Sequence, residues 1–171
     1  DLTMAFSYLG GQHSEQETTG TSRSLDVTTG SEGDPQFLYA TGRTNTVTTL
    51  DFVTADTTWT EIGSVIRMDG GGGTRPYGAA KLWWRPRPAS TSTTTVSTAS
   101  AGSSTAFRIG SFTYTSDSGE VPWLVAGPQD HSMGTGSALY QPPDYVTVAG
   151  LVVCGAFKGP NVEGRFRAYW T

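Results

Sequence analysis

Apolar and polar side chains alternate along this chain with a period of two residues, which is the period of a β-strand and not of a helix. In the segment 162–170, Phe166 and Trp170 share one parity while Arg165 and Arg167 share the other. Thr and Val fill many positions between the aromatic residues, as a pleated and half-buried surface prefers. The pattern predicts an all-β protein with little or no helix.

Eleven segments have the length and composition of strands, and clusters of Gly, Asp, Asn and Pro separate them. The predicted strands are residues 2–9, 24–28, 36–41, 47–53, 59–68, 77–85, 91–98, 105–115, 123–126, 146–157 and 162–170. Segment 146–157 is apolar at both parities, which predicts a central strand covered on both faces. No change in composition divides the chain. We therefore expect one domain, residues 1–171, folded as an antiparallel, jelly-roll-like β-sandwich of about ten strands.

Two glycine positions give local predictions. Asp69-Gly70 lies between segments 59–68 and 77–85 and predicts a hairpin, because glycine adopts the positive φ that tight turns require. In segment 105–115 the apolar parity changes on the two sides of Gly110, which predicts a β-bulge there.

Residues 86–104 are rich in Pro, Ser and Thr and allow two interpretations. Proline removes a donor from the sheet ladder, so Pro86 and Pro88 end the preceding strand. The Ser, Thr and Ala residues that follow are typical of a loop or linker. Their alternation and the β-propensity of Thr favour an exposed edge strand instead.

Charge and hydropathy exclude two classes of partner. The formal net charge is −4, and the 11 Lys and Arg residues form no basic stripe that would neutralise a phosphate backbone. No apolar run approaches the roughly 18 residues of a membrane-spanning helix. We therefore expect neither nucleic acid nor membrane as a partner. Most of the cations are Arg, which is typical of protein interfaces.

The chain has few residues that carry chemistry. It contains two histidines and one cysteine, Cys154, which lies in an apolar run and is expected to be buried. Neither histidine has a partner at a metal-ligand spacing, so no metal or cofactor is expected. Asp130-His131-Ser132 has the residue types of a hydrolytic triad, but triad members converge from separate segments and adjacent side chains point apart. Gly70–Gly73 lacks the lysine of a phosphate-binding loop. We expect no catalytic site and a protein that is not an enzyme.

The pair Trp83-Trp84 is the strongest indication of a binding surface. Adjacent side chains of a strand face opposite ways, so one Trp enters the core while the other faces outward. The parity of Trp84 is the more apolar, so Trp84 is predicted in the core and Trp83 on the surface beside Tyr77. We predict an interaction surface formed by Tyr77, Trp83, Arg85 and Arg87.

Over roughly residues 25–157 the layout resembles a family of β-sandwich modules from the virions of tailed phages and prophages. The elements that carry the resemblance are Gly33-Asp34 before Phe37-Leu38-Tyr39-Ala40, the segment Trp59-Thr60-Glu61-Ile62, the strand Lys81-Leu82-Trp83-Trp84 before a Thr-rich stretch, and the late apolar strand 152–157. Pro35-Gln36 and the Arg-Pro-Arg-Pro stretch depart from the usual pattern of such modules.

The resemblance implies a structural virion protein without an active site, such as a capsid decoration or cement protein, located in the virion. Its implied partner is the major capsid protein or another virion protein, and its implied assembly is a homo-oligomer such as a trimer. The alternative is a carbohydrate- or receptor-binding module of a phage tail or fibre, with Trp83 and Tyr77 stacking on a glycan.

Overall fold

The structure is a computed structural model that describes residues 6–14, 18–44, 50–68, 77–99, 106–116, 151–156 and 165–170. Every regular element in these residues is a strand, and the strands pair antiparallel. The strands are β1 (Phe6–His13), β2 (Thr18–Thr19), β3 (Ser22–Val27), β4 (Pro35–Thr44), β5 (Phe52–Thr54), β6 (Thr60–Glu61), β7 (Ile66–Met68), β8 (Tyr77–Pro86), β9 (Ser92–Thr98), β10 (Ala106–Ser116), β11 (Leu151–Ala156) and β12 (Arg165–Trp170). The predicted all-β antiparallel class is confirmed for the described residues.

Two sheets contain most of these strands. The large sheet has seven strands in the order β1-β10-β4-β8-β6, with β2 also paired to β10 and β7 also paired to β8. The small sheet has the order β3-β9-β5. Strands β11 and β12 pair with each other in a two-stranded sheet, with Leu151 opposite Trp170 and Ala156 opposite Arg165.

Apolar side chains from both sheets form one core between them. The small sheet contributes Val27, Phe52 and Val96, and the large sheet contributes residues from β4, β8 and β10. The large-sheet members of the core are Leu38, Ala40, Ala79, Trp83, Phe107 and Ile109. Because the two sheets bury one face each against the other, the fold is a β-sandwich. The jelly-roll connectivity stays a prediction.

The predicted pairing of segments 59–68 and 77–85 is confirmed. Strands β6 and β7 both pair with β8, with Glu61 opposite Trp83 and Met68 opposite Gly78. Gly63, in the interruption between β6 and β7, has a φ of 64°, a conformation in which most other residues would be strained. Residues 69–76, where the sequence predicts the turn, lie outside the described part of the chain.

Strand β9 corrects one expectation about the Ser/Thr-rich segment. It is a strand, but it lies between β3 and β5 and is not at the edge of the small sheet. Its alternate residues Thr94 and Val96 are buried, and the Trp59 Nε1–H donates a hydrogen bond to the Thr94 hydroxyl over 3.0 Å. Thr94 can be buried in the sandwich because its hydroxyl has a hydrogen-bond partner.

Several sequence predictions lie outside the described residues. These are the strand at 123–126, the segment Asp130-His131-Ser132, the tip Gly70–Gly73, and the side chains of segment 146–157, including Cys154.

Candidate docking surface on the large sheet

The two faces of β8 have opposite environments. Trp83 belongs to the core between the sheets and is 1 % exposed, whereas Trp84 is half-buried on the other face and packs near Phe37. The sequence prediction that Trp83 faces outward and Trp84 inward is therefore wrong. We call the face of the large sheet that carries Trp84 the outer face.

The prediction was wrong because it took charged residues as a sign of an exposed face. Lys81 shares the parity of Trp83, but its ammonium group is buried among carboxylate partners. Lys81 Nζ lies 2.8 Å from Glu61 Oε1 and 3.3 Å from Asp51 Oδ1. It also lies 5.6 Å from the centre of the Trp83 ring, within the range of a cation–π contact. A lysine with two carboxylate partners fits the core face of a sheet.

Arg85 is the second cation on the core face, and it too is 1 % exposed. Its Nε–H donates to Gln36 Oε1 over 3.0 Å, and Nη1 donates to Asp56 Oδ2 and Thr58 Oγ1, each over 3.0 Å. Nη2 donates to Ser92 Oγ over 3.2 Å, and the guanidinium carbon lies 4.1 Å from the centre of the Trp59 ring. We call this group the Arg85 clamp. It joins the large sheet to the small sheet, so Arg85 is structural.

The protonation of the clamp follows from its contacts. Burial lowers the pKa of Arg85, and the charge of Asp56 opposes that change. Burial by itself raises the pKa of Asp56, but the hydrogen bonds from Thr58 and the charge of Arg85 outweigh burial, so that pKa is lowered. At neutral pH the clamp therefore holds an ionised carboxylate beside a charged guanidinium.

The other two predicted surface residues lie at the ends of β8. Arg87 is half-buried, donates from Nη1 to the Pro88 carbonyl over 3.1 Å, and has a buried Nε without a hydrogen-bond partner. Tyr77 begins β8 opposite Thr44, and its side chain lies outside the description. The structure therefore does not bring Tyr77, Trp83, Arg85 and Arg87 together as one exposed patch, and a docking role for Tyr77 and Arg87 stays a prediction.

The outer face instead presents a band of aromatic side chains across β8, β4 and β10. Trp84, Phe37 and Phe112 are opposite one another in the register of these strands. The Phe37 and Phe112 rings stack with centroids 5.0 Å apart, and Tyr114 packs edge-on to both at 6.3 and 6.0 Å. Leu82 and Ile62 extend the band towards β6. The parity of Phe37 with Tyr39 and of Phe112 with Tyr114 was the sequence signal for this face.

Two tyrosines beside the band pack over glycines. Tyr39 from β4 covers Gly110 of β10, where a Cβ would overlap the tyrosine ring and its hydroxyl. Tyr8 from β1 reaches Gly11, where a Cβ would lie 3.0 Å from the Tyr8 hydroxyl oxygen. Tyr8 is 60 % exposed and Tyr39 is half-buried. We call Tyr8, Tyr39, Gly11 and Gly110 the tyrosine platform.

Gly110 serves this packing and does not mark a bulge, so the predicted bulge is wrong. The register between β10 and β4 runs without a shift from Ala106 to Thr113. The apolar parity changes at Gly110 because Phe107 faces the core between the sheets while Phe112 faces the aromatic band. The irregularity in this part of the sheet lies in β1, between Tyr8 and Gly10.

Gly110→Ala is expected to destabilise the fold by about 1–3 kcal/mol, because the added methyl group displaces the Tyr39 ring. Urea unfolding of the two variants Gly110→Ala and Tyr39→Ala and of the double variant checks this. In the Tyr39→Ala background the same substitution should cost much less. An equal cost in both backgrounds would contradict the assigned contact.

Charge is distributed unevenly over the outer face. Strands β1, β4, β8 and β10 contain no Asp or Glu. Arg43 and Arg108 lie on the same parity as Tyr39 and Gly110, and His13 is opposite Gly110. Burial raises the pKa of Tyr39, while the charge of Arg108 opposes that change. Burial also raises the pKa of Tyr114. Both phenols therefore keep their protons at neutral pH.

The opposite side of the sandwich has different chemistry. On the small sheet, Ser24 and Thr95 share a hydrogen bond of 2.8 Å between their hydroxyls, and Thr93 donates to Asp26. These four residues are exposed. The sandwich thus has one hydroxyl-bearing side and one aromatic side.

The strands define an antiparallel all-β sandwich, with an aromatic and cationic surface as its most distinctive feature. No family model, no curated protein and no solved structure matches the chain. In the described residues no three side chains among His, Cys, Asp and Glu come together as metal ligands would. The same residues contain no helix long and apolar enough to cross a membrane.

Proposed function

We propose that this protein is a non-enzymatic structural protein of a tailed-phage particle, a capsid decoration or cement protein that docks through the outer face of its large sheet. Its partner in this proposal is the major capsid protein or another virion protein. The outer face is the observation that carries the proposal, since Tyr, Trp, Phe and Arg are the residues enriched in the centres of protein interfaces. The layout of the sequence, which resembles virion modules, supports the same function.

The position of the exposed Tyr8 supports docking on this side. Tyr8 and Leu9 are adjacent on β1, at the edge of the large sheet, and are 60 % and 44 % exposed. Tyr8 continues the aromatic band, because it packs edge-on to Tyr114 at 5.6 Å. A partner that covers the band would bury Tyr8 as well.

The hydroxyl-bearing side of the small sheet supports the orientation. Ser, Thr and Asp side chains that satisfy one another in pairs have little to gain from a partner. In the proposed assembly the small sheet faces water and the large sheet faces the particle. A homo-oligomer such as a trimer would place several copies of the docking face on a symmetric shell.

Tyr8→Glu is expected to weaken binding to particles that lack this protein by about 10-fold or more, because it places a charge in an apolar contact. Co-sedimentation of the purified protein with such particles measures the affinity. Val53→Glu is the matched control, since Val53 is 41 % exposed and lies on β5 of the small sheet. Failure of the wild-type protein to sediment with the particles would contradict the proposed function. Equal losses for the two variants would contradict the assigned face.

In the glycan-binding alternative, Trp83 cannot stack on a sugar as predicted, because it is buried. Exposed Tyr8 offers a different ring on which a sugar could stack. A glycan array separates the two functions. Glycan binding that is lost in Tyr8→Ala would support a carbohydrate-binding module of a phage tail or fibre. The absence of binding to any glycan on the array would favour docking to a virion protein.

A further inference from the structure

We propose that Lys81 and Asp51 form an amide bond between their side chains, with Glu61 as the proton carrier, and that this bond joins the two sheets covalently. The convergence of one buried amine with two carboxylates carries the proposal. The reaction occurs once in each chain and has no external substrate. It is therefore compatible with a non-enzymatic structural protein and independent of the proposed docking.

The fold holds the amine of Lys81 between the two carboxylates. Nζ lies 3.3 Å from Asp51 Oδ1 and 2.8 Å from Glu61 Oε1. Lys81 lies on β8 and Glu61 on the neighbouring strand β6, whereas Asp51 directly precedes β5 of the small sheet. Groups that a fold holds in contact react at an effective concentration far above any in free solution.

The surroundings of the amine exclude water. Lys81 is 7 % exposed, Phe52 beside Asp51 is fully buried, and the centre of the Trp83 ring lies 5.6 Å from Nζ. In water an amine and a carboxylic acid exist as separate solvated ions and do not condense. A buried site favours neutral groups over ions and excludes the water that would hydrolyse the product, so it favours the amide.

The environments of the two carboxylates differ and assign their roles. The backbone N–H of Phe52 donates a hydrogen bond to Asp51 Oδ1 over 2.6 Å. Such a donor stabilises the negative charge that develops on the oxygen when the carboxyl carbon is attacked. The side chain of Asp51 is 28 % exposed and that of Glu61 is 52 % exposed. Asp51 is therefore the acyl donor, and Glu61, with the freer carboxylate, accepts and returns protons.

The reaction starts from the Lys81 ammonium and the Asp51 carboxylate and conserves every atom. Glu61 accepts one proton from Nζ and passes it to Asp51 Oδ2. The lone pair of the neutral amine attacks Cγ of Asp51 and forms the Nζ–Cγ bond, while the charge on Oδ1 is stabilised by the Phe52 N–H. Glu61 then moves a second proton from Nζ to Oδ2, the Cγ–Oδ2 bond breaks, and Oδ2 leaves as water. One amide and one water molecule are formed, and Glu61 returns to its initial state.

The bond closes a loop from residue 51 to residue 81 and ties the large sheet to the small sheet. A cross-link that closes a loop stabilises a protein mainly by restricting its unfolded chain. The cross-linked chain should therefore migrate faster in denaturing electrophoresis than the Lys81→Arg variant, which cannot form the bond.

Mass spectrometry of the purified wild-type protein tests the proposal directly. The intact protein should be lighter than its sequence by one water molecule. Trypsin should then release fragments 44–67 and 68–108 as one joined pair, because the first contains Asp51 and the second contains Lys81. Every arginine inside the second fragment precedes a proline, where trypsin does not cleave, and a lysine that carries an amide is not cleaved either.

Four variants assign the roles. Lys81→Arg and Asp51→Ala should each have the full mass of their sequence and release fragment 44–67 alone. Glu61→Gln keeps the shape of the side chain but cannot accept a proton, so it should slow bond formation about 100-fold or more. Lys158→Arg, which removes the other lysine of the chain, is the control and should retain the joined pair. Circular dichroism of each variant checks that the fold is retained.

Each outcome supports or overturns a defined part of the proposal. A wild-type mass equal to that of the full sequence would overturn it. Loss of water without the joined pair would also overturn it, because it indicates dehydration within one fragment, such as at Asp69-Gly70. A joined pair that persists in Asp51→Ala would overturn the role of Asp51, and an unchanged rate in Glu61→Gln would overturn that of Glu61. Failure of the protein to bind particles affects none of these outcomes, so the two proposals are tested separately.

Discussion

Trp83→Ala is expected to lower the free energy of unfolding by about 3–5 kcal/mol, the usual cost of truncating a buried aromatic side chain. Trp83 is 1 % exposed and packs in the core between the two sheets. Its indole also lies against the ammonium of Lys81, which loses a cation–π contact in the variant. Equilibrium unfolding in urea, followed by circular dichroism, measures the change.

Trp84→Ala is the matched control, because the same residue type on the same strand faces the other way and is half-buried. Its cost should be clearly smaller. Trp83→Phe provides a second comparison: the Trp83 Nε1–H is buried without a hydrogen-bond partner, so its removal should cost less than the loss of the ring. A larger cost for Trp84→Ala than for Trp83→Ala would show that the faces of β8 are reversed.

Arg85→Met is expected to destabilise the protein by about 3–5 kcal/mol, as is usual when one member of a buried ion pair is removed. The variant leaves Gln36 Oε1 and the Asp56 carboxylate without the guanidinium that binds them. Denaturant unfolding at pH 7 measures the loss. Arg87→Met, at a half-buried arginine with one side-chain hydrogen bond, is the control and should cost much less. The double variant Arg85→Met, Asp56→Leu should regain part of the stability, because it no longer buries an unpaired charge.

The same clamp gives stability a dependence on acid pH. The pKa of Asp56 is lower in the folded protein than its ordinary value of 3.8. A group whose pKa is lowered by folding stabilises the folded state above its unfolded pKa, and this stabilisation is lost as the pH falls through the folded value. Asp56→Asn should therefore flatten the decrease in stability below about pH 4. An unchanged acid profile would contradict an ionised Asp56 in the clamp.

Strand existence could be predicted from the sequence alone, because it depends on local alternation. The pairing of β7 with β8 followed from two alternating segments around Asp69-Gly70, and the strand at β9 followed from the alternation of Thr and Val. Each signal lies within one segment or two neighbouring segments of the chain, so no distant contact was needed to find it.

The position of β9 in the small sheet was beyond such local information. The segment that contains β9 was predicted as a loop or an exposed edge strand, but its Thr94 and Thr98 are buried. The Thr94 hydroxyl is satisfied by the indole of Trp59, which is distant in sequence. Composition alone cannot show that a polar group will have a partner in the core.

The candidate site illustrates the same limit. Alternation placed Lys81, Trp83 and Arg85 on one face of β8, but it could not show which face was the core. Lys81 and Arg85 can lie on the core face because Asp51, Glu61 and Asp56, from other parts of the chain, neutralise their charges. The sequence also could not show that Tyr8 is exposed or that Tyr39 packs over Gly110, because each feature depends on a neighbouring strand.

The sequence by itself determined that this chain is a β-protein, because strand periodicity and turn residues act over a few positions. Only the tertiary structure decided which side of each strand is buried and therefore which aromatic residues meet solvent. The physical reason is that burial of a charged residue depends on finding its counter-charge. Those partners are brought together by the packing of one sheet on another.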